Sequence, residues 1–198
     1  MLILGWDVST AIIGVCIMDC DTGSARYQDI HLSGASLLGR YHEAVVAIDE
    51  LVANLPGPRL HVIEDRLGNF SPGKTMQQTL MKLAQMNAVV SYHLSLDAAV
   101  VHVHPSTAKR IAGLRVPKGG DKKALAIALA REQDPSFPYA ETKGGNPVAG
   151  IADMADARLL AVTGCKITRG EATLDKGTEA SGRRRRPRAT KDAVSTEE

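Results

Sequence analysis

The chain has 198 residues, 44% of them hydrophobic and 23% charged, with a formal net charge of +2. That length suits one compact domain plus a tail, with a core large enough to need neither disulfides nor a structural metal. No apolar run approaches the roughly 20 residues of a membrane span, and so small a net charge makes no bulk case for a polyanionic partner.

Residues 2–8, LILGWDV, form an apolar run broken only by Gly5 and Asp7, the pattern of a central strand buried on both faces. Because strand-like sequence begins at Leu2, no leader is expected, and the protein is expected to be cytoplasmic. GVCIMD (14–19) and ARYQDIHL (25–32) read as two further strands joined through the turn DTGS, an antiparallel meander. Over 36–55, Leu37, Leu38, Tyr41, Val45, Ile48, Leu51 and Val52 recur at helical spacing until Pro56-Gly57-Pro58 breaks it. LHVIE (60–64) is a fourth strand that ends in a carboxylate. The polar loop GNFSPGK then leads into a long helix over 75–95. AAVVHVHP (98–105) is a fifth strand, with His102 and His104 alternating as structural residues of one face. Ser106 is expected to cap a short helix to Ile111. After the basic loop RVPKGGDK, KKALAIALARE forms a helix. PSFPYAETKGGNPVAG (135–150) is a long irregular loop, and IADMADARLLAVTG a last helix closed by Gly164. Hydrophobic periodicity then stops. The expected organisation is a domain over 1–165 and a disordered basic tail over 166–198 containing RRRRPR. Cys16, Cys20 and Cys165 form no CxxC pair and are expected as separate thiols of a reducing compartment. None of the histidines has metal-ligand spacing with them.

Four acids stand out. Asp7 lies inside an apolar strand, where an ionised carboxylate costs several kcal/mol unless a cation or hydrogen bonds compensate. Glu64 closes the fourth strand, which in a parallel pairing with the first ends at the same sheet edge. Asp153 and Asp156 are spaced i, i+3 and share one helical face. Each has an ordinary reading alone: a turn-starting aspartate, a solvated strand end, acids complementing a helix dipole. Together they fall where one metal site would need them. Mg²⁺ takes hard oxygen ligands, and two such ions can activate a water and stabilise the leaving oxygen of a phosphodiester.

The stretches ILGWDVSTAIIGVCIMD (3–19), HVIEDRLGNFSPGKTMQQTLMKLAQMNAVV (61–90), VHPSTAKRIAGL (103–114) and IADMADARLLA (151–161) carry a resemblance. The chain resembles RuvC-type Holliday-junction resolvases of the ribonuclease H-like superfamily. The resemblance implies an α/β ribonuclease H-like fold whose five-stranded mixed sheet, in the order 3-2-1-4-5, is flanked by helices. It implies a homodimeric endonuclease that makes paired nicks across four-way DNA junctions and leaves 5′-phosphate and 3′-hydroxyl ends. Asp7, Glu64, Asp153 and Asp156 match its metal-binding catalytic acids, for two Mg²⁺ ions that Mn²⁺ can replace. Lys109 and Lys122 match family lysines linked to DNA binding. Two departures stand out: DVST replaces the family's frequent DPG turn. Leu67 occupies the position where an aromatic wedges into the junction, which leaves Phe70 as the nearest candidate.

Lys74, Lys109, Arg110, Arg115, Lys118, Lys122 and Lys123 fall in or beside loops expected to flank the acids, where they would meet DNA phosphates without reading bases. The 75–95 helix carries an apolar stripe wider than one narrow core face, which core packing could use, and the resemblance implies that this helix forms much of a dimer interface. The basic tail would add electrostatic affinity for DNA. Competing readings are a flap or branched-DNA nuclease of the same fold, a non-catalytic DNA-binding module, and a sugar-kinase or actin-like ATPase. The ATPase needs two such domains and a second phosphate loop, and this chain has neither.

Overall fold

The computed structural model describes residues 1–65 and 77–174. In chain order the elements are β1 (Leu2–Val8), β2 (Ile12–Asp19), β3 (Ala25–His31), α1 (Leu37–Ala53), β4 (Arg59–Glu64), α2 (Gln77–Ser95), β5 (Ala99–Val103), α3 (Pro105–Ala112), α4 (Lys122–Gln133) and α5 (Ile151–Thr168). The sheet runs β3-β2-β1-β4-β5. The first three strands are an antiparallel meander, and β4 pairs parallel with both β1 and β5. This is the ribonuclease H-like architecture expected from the sequence.

Side chains alternate across a strand, so β1 supplies two cores. Leu4, Trp6 and Val8 pack with Ile63 against α1 and α2 through Ile48, Met86 and Val90. Ile3, with Cys16, Met18 and Val62, packs against α5 and α3 through Ala157, Leu160 and Ala108. On the first face Trp6 is fully buried, and its Nε1 donates to His61 Nδ1 at 3.1 Å. His61 Nε2 therefore carries the proton facing Asp97 Oδ2 at 2.9 Å, and Arg59 Nε meets the same oxygen at 2.7 Å. Burial lowers the pKa of His61 and keeps it neutral against the pull of Asp97. A buried indole N–H is thus satisfied by a chain of polar groups that ends at the surface.

On the second face α5 lies with its backbone directly on the strands. A Cβ at Gly5 would sit 2.0 Å from the Ala157 carbonyl oxygen, and one at Gly14 would sit 2.2 Å from that of Asp153. Gly164 corrects an expectation. It is not the helix stop, because α5 continues to Thr168. A Cβ there would meet Ile3 and Val62 at 2.6 and 2.7 Å, so close approach, not a left-handed cap, requires the glycine.

Three other expectations change. Ser106 is not the cap of α3: His104 holds that position, with Pro105 starting the helix, and its Nδ1 accepts from the Ser106 backbone N–H at 3.3 Å. Proline suits a first helical position because the missing N–H has no partner there anyway. His104 consequently leaves the strand face it was expected to share with His102. The cysteines are not three separate thiols. Cys20 and Cys165 are disulfide-bonded with their Cα atoms 5.3 Å apart, and only Cys16 is free, its thiol pushed up to about 12 by burial. A pairing across 145 residues arises from the seating of α5 on the sheet and leaves no trace in spacing. Finally, the segment read as an irregular loop contains a hairpin, with Thr142 N bonded to Asn146 O at 2.8 Å and Val148 N to Ala140 O at 3.0 Å.

Among the described residues no helix is long and apolar enough to cross a membrane. The glycine contacts give a direct test. Gly5→Ala must lift α5 off β1 or bend the strand, at a cost of about 3 kcal/mol or more, read as a fall in the urea midpoint. An unchanged midpoint would show that the helix is not seated this closely.

Candidate active site

The register of the sheet brings the first two acids together. Gly5 pairs with Val62 and Trp6 with Ile63 in the parallel β1–β4 ladder, so the next step sets Asp7 beside Glu64, about 4.8 Å away along the strand-to-strand direction. Both side chains belong to the face that carries α5, because Gly5 and Val62 do. Asp7 is 4% exposed. On its other side Asp7 pairs with Gly14, and Gly14 pairs with Asp29 on β3.

Gly14 also receives α5. Its Cα faces the Asp153 backbone, so the missing side chain on β2 lets the helix start beside Asp7. Asp153 lies in the first turn of α5, where the helix dipole favours negative charge, and Asp156 follows one turn later. The Asp156 carboxyl is pushed up to about 6, first by burial and next by the charge of Asp7. Lys109 pulls it down, Asp153 pushes it up, and Lys123 pulls it down. Charges act this way only over short distances. Asp7, Asp153, Asp156, Lys109 and Lys123 therefore form one electrostatic neighbourhood.

The two lysines are held there by structure. Thr163 Oγ1 bonds the Ala108 carbonyl at 3.2 Å and Lys166 Nζ the Ile111 carbonyl at 2.8 Å, which fastens α3 to α5 on both sides of Lys109. Asp121 caps α4 through the N–H groups of Lys123 and Ala124 at 2.9 and 3.2 Å. Lys122 and Lys123 then occupy the first turn of α4, where cations oppose the helix dipole. Local helix stability does not call for them.

Between α3 and the start of α4 lies a cleft of about 780 Å³, lined by His104, Ser106, Lys109, Arg110, Arg115 and Lys122 over an apolar floor that includes Leu114 and Val116. Of the basic residues expected near the acids, Lys109, Arg110, Arg115 and Lys122 meet at this cleft. Lys123 lies by Asp156, and Lys118 is exposed on the connecting loop. Lys74 and Phe70 lie outside the described residues. His104 and Ser106 were not anticipated as lining residues; Pro105 between them was the available signal, since it ends a strand and opens a helix.

As placed, no three His, Cys, Asp or Glu side chains among the described residues stand close enough together to hold a metal ion. The acids share an edge and feel one another's charge without converging on a point. The donor set nevertheless suits a hard divalent cation. Its groups are carboxylates, and a carboxyl whose ionisation is resisted by burial and by two neighbouring acids is one that an added cation would relieve.

No protein-family model matches the sequence, and no curated protein matches it. Solved structures do match. RuvC of T. thermophilus in complex with Holliday junction substrate superposes with a TM-score of 0.62 at 13% identity, covering 87% of this chain and 98% of that one. The yeast mitochondrial Holliday junction resolvase Ydc2 gives 0.56 at 12% identity, covering 83% and 77%. At such identities the likeness is one of fold, and it spans nearly the whole of the RuvC chain.

The raised Asp156 carboxyl sets a pH dependence. The folded state holds this proton more tightly than the unfolded state, whose aspartate ionises near 3.8. Stability of the metal-free protein therefore falls as pH rises from about 4 to about 6 and stays reduced above that. Asp156→Asn removes the penalty. In EDTA at pH 7.5 its Tm should exceed that of the wild type by several degrees, and the gap should close at pH 4. A lower Tm at pH 7.5 would refute the assignment.

Proposed function

We propose that this protein is a Mg²⁺-dependent DNA endonuclease acting on branched DNA, four-way junctions foremost. The observation that carries this reading is the electrostatic coupling of Asp156 to Asp7 and Asp153, with Lys109 and Lys123 beside it, at the sheet edge where the register sets Asp7 next to Glu64. The fold, shared with a resolvase solved on its junction substrate, supports it. Acids gathered against their own repulsion around a buried Asp7 have no structural purpose that a polar or apolar set would not serve better.

In this reading Asp7, Glu64, Asp153 and Asp156 hold two Mg²⁺ ions, and Mn²⁺ can take their place. Bound there, the pair would activate water and offset charge on the leaving oxygen of a phosphodiester. The side chains of the chain do the rest. Asp7 is fixed by a strand packed on both faces, so its position needs no reorganisation. Lys109 and Lys123 counter the repulsion between carboxylates and a DNA phosphate. The cleft beside them, lined by Arg110, Arg115 and Lys122, receives backbone on one side of the cut strand. Such contacts position the substrate without reading its sequence. The products would be a 5′-phosphate and a 3′-hydroxyl.

The active form is a homodimer in this proposal. Helix α2 buries Met86, Val90 and Leu94 in its own core yet leaves Met81 54% and Tyr92 69% exposed. An isologous pairing of that helix would give two active sites related by a two-fold axis, as a symmetric junction requires.

Asp7→Asn tests the assignment. The variant should bind a labelled four-way junction with wild-type affinity and lose at least about a thousandfold in cleavage rate in Mg²⁺, consistent with a lost metal ligand. Cleavage at the wild-type rate would end the proposal. If flaps and junctions are cut equally, the activity holds but its junction preference does not.

A further inference from the structure

Between α4 and α5 the chain spends seventeen residues, 134–150, to join two helices that pack on each other. Residues 141–149 are all exposed. They add nothing to the core, yet they are ordered. Backbone pairs join Ala140 to Val148 and Thr142 to Asn146, Glu141 bridges Pro147, and Gly145 closes the turn at φ +77°. This is a hairpin with a three-residue loop whose last member is left-handed, a position that glycine suits.

The base of the hairpin is anchored twice. Tyr139 carries the Arg131 guanidinium 4.0 Å above its ring. On the other strand, Ile151 N bonds Val148 O at 3.2 Å, and Gly150 abuts the Asp29 carboxylate so closely that a Cβ would meet its oxygen. Asp29 lies in the sheet row that continues through Gly14 to Asp7. The hairpin therefore rises at the β3 side of the acid edge, while the lining of the basic cleft begins at His104, the residue that follows β5 on the other side of the sheet. The acids lie between them. Four strand spacings separate β3 from β5, about 19 Å, the length of five or six nucleotide steps at about 3.4 Å each.

We propose that this hairpin is a second DNA-backbone contact, which holds the substrate arm on the side of the acids opposite the basic cleft. The inference rests on the nuclease reading above and names a contact which that reading does not contain. The chemistry of the tip suits phosphate and sugar. Lys143 supplies a cation, Thr142 and Asn146 supply polar side chains, and Gly144 and Gly145 let the backbone approach closely. A protein partner would need a large apolar or aromatic anchor, and between 140 and 149 only Val148, 39% exposed, offers one. An ordered, exposed, polar ribbon with a lysine at its turn beside a phosphodiester site fits a duplex backbone.

The test uses the full-length chain carrying Asp7→Asn, so that the junction stays intact, and reads affinity by anisotropy across a salt series. Lys143→Glu should weaken junction binding about five- to tenfold at 0.1 M salt and reduce the log–log salt slope by about one. Lys143→Arg should keep parental affinity. Replacing Lys143–Gly145 by Asn-Gly, which keeps the Thr142–Asn146 backbone pair and closes it by a tight turn without the lysine, should also weaken junction binding. All three should keep the parental Tm, because none alters a buried residue. Parental affinity and slope in Lys143→Glu, in a protein whose wild type cuts junctions, overturns the hairpin contact alone. A parent that binds no junction overturns the nuclease reading and this contact with it.

Discussion

The direct seating of α5 on β1 and β2 is the constraint from which the rest follows. A helix normally stands off a sheet by the length of two layers of side chains. Here Gly5 and Gly14 remove one layer, and the carbonyls of Ala157 and Asp153 come down onto the strands. That approach is what brings Asp153 and Asp156 to Asp7. With an ordinary separation, the i, i+3 acids would hang over solvent and feel the strand aspartate weakly. The disulfide between Cys20 and Cys165 depends on the same contact, since it joins the chain just after β2 to the far part of α5.

The site that results is not four equivalent acids. Asp7 is buried in a strand, Asp153 lies where the dipole of α5 favours its charge, and Asp156 resists ionisation because burial and Asp7 both oppose it. Opposing cations are brought in at a cost to local structure. Lys122 and Lys123 crowd the positive end of α4, where acidic residues would stabilise the helix, and Asp121 alone caps it.

Much of this was legible in the chain. The strands and helices followed from the apolar runs and their periodicity, their order in the sheet followed from the family resemblance, and the acids were visible as an aspartate inside LILGWDV and a pair in IADMADA. What stayed hidden depended on contacts between distant segments. Gly164 looked like a helix stop because a glycine near the end of an apolar pattern usually is one. Only the positions of Ile3 and Val62 show that it is a packing residue. The cysteine pair was hidden for the same reason. His104 was misplaced because alternation with His102 reads as strand, while Pro105 had already ended it. The hairpin at 140–148 was missed although Gly144-Gly145 lay between Thr142 and Asn146, because its strands have no apolar alternation to announce them.

The opposite face of β1 fixes the strand that carries Asp7. Trp6, next to Asp7 in sequence and pointing the other way, is fully buried and tied through His61 to Asp97 and Arg59. Packing alone would hold the indole. The hydrogen-bonded chain also fixes its orientation, since rotating the ring would strand a buried N–H at a cost of about 1–3 kcal/mol. Gly5 pins the strand from the α5 side and Trp6 pins it from the α1–α2 side, so the peptide that carries Asp7 is clamped on both faces.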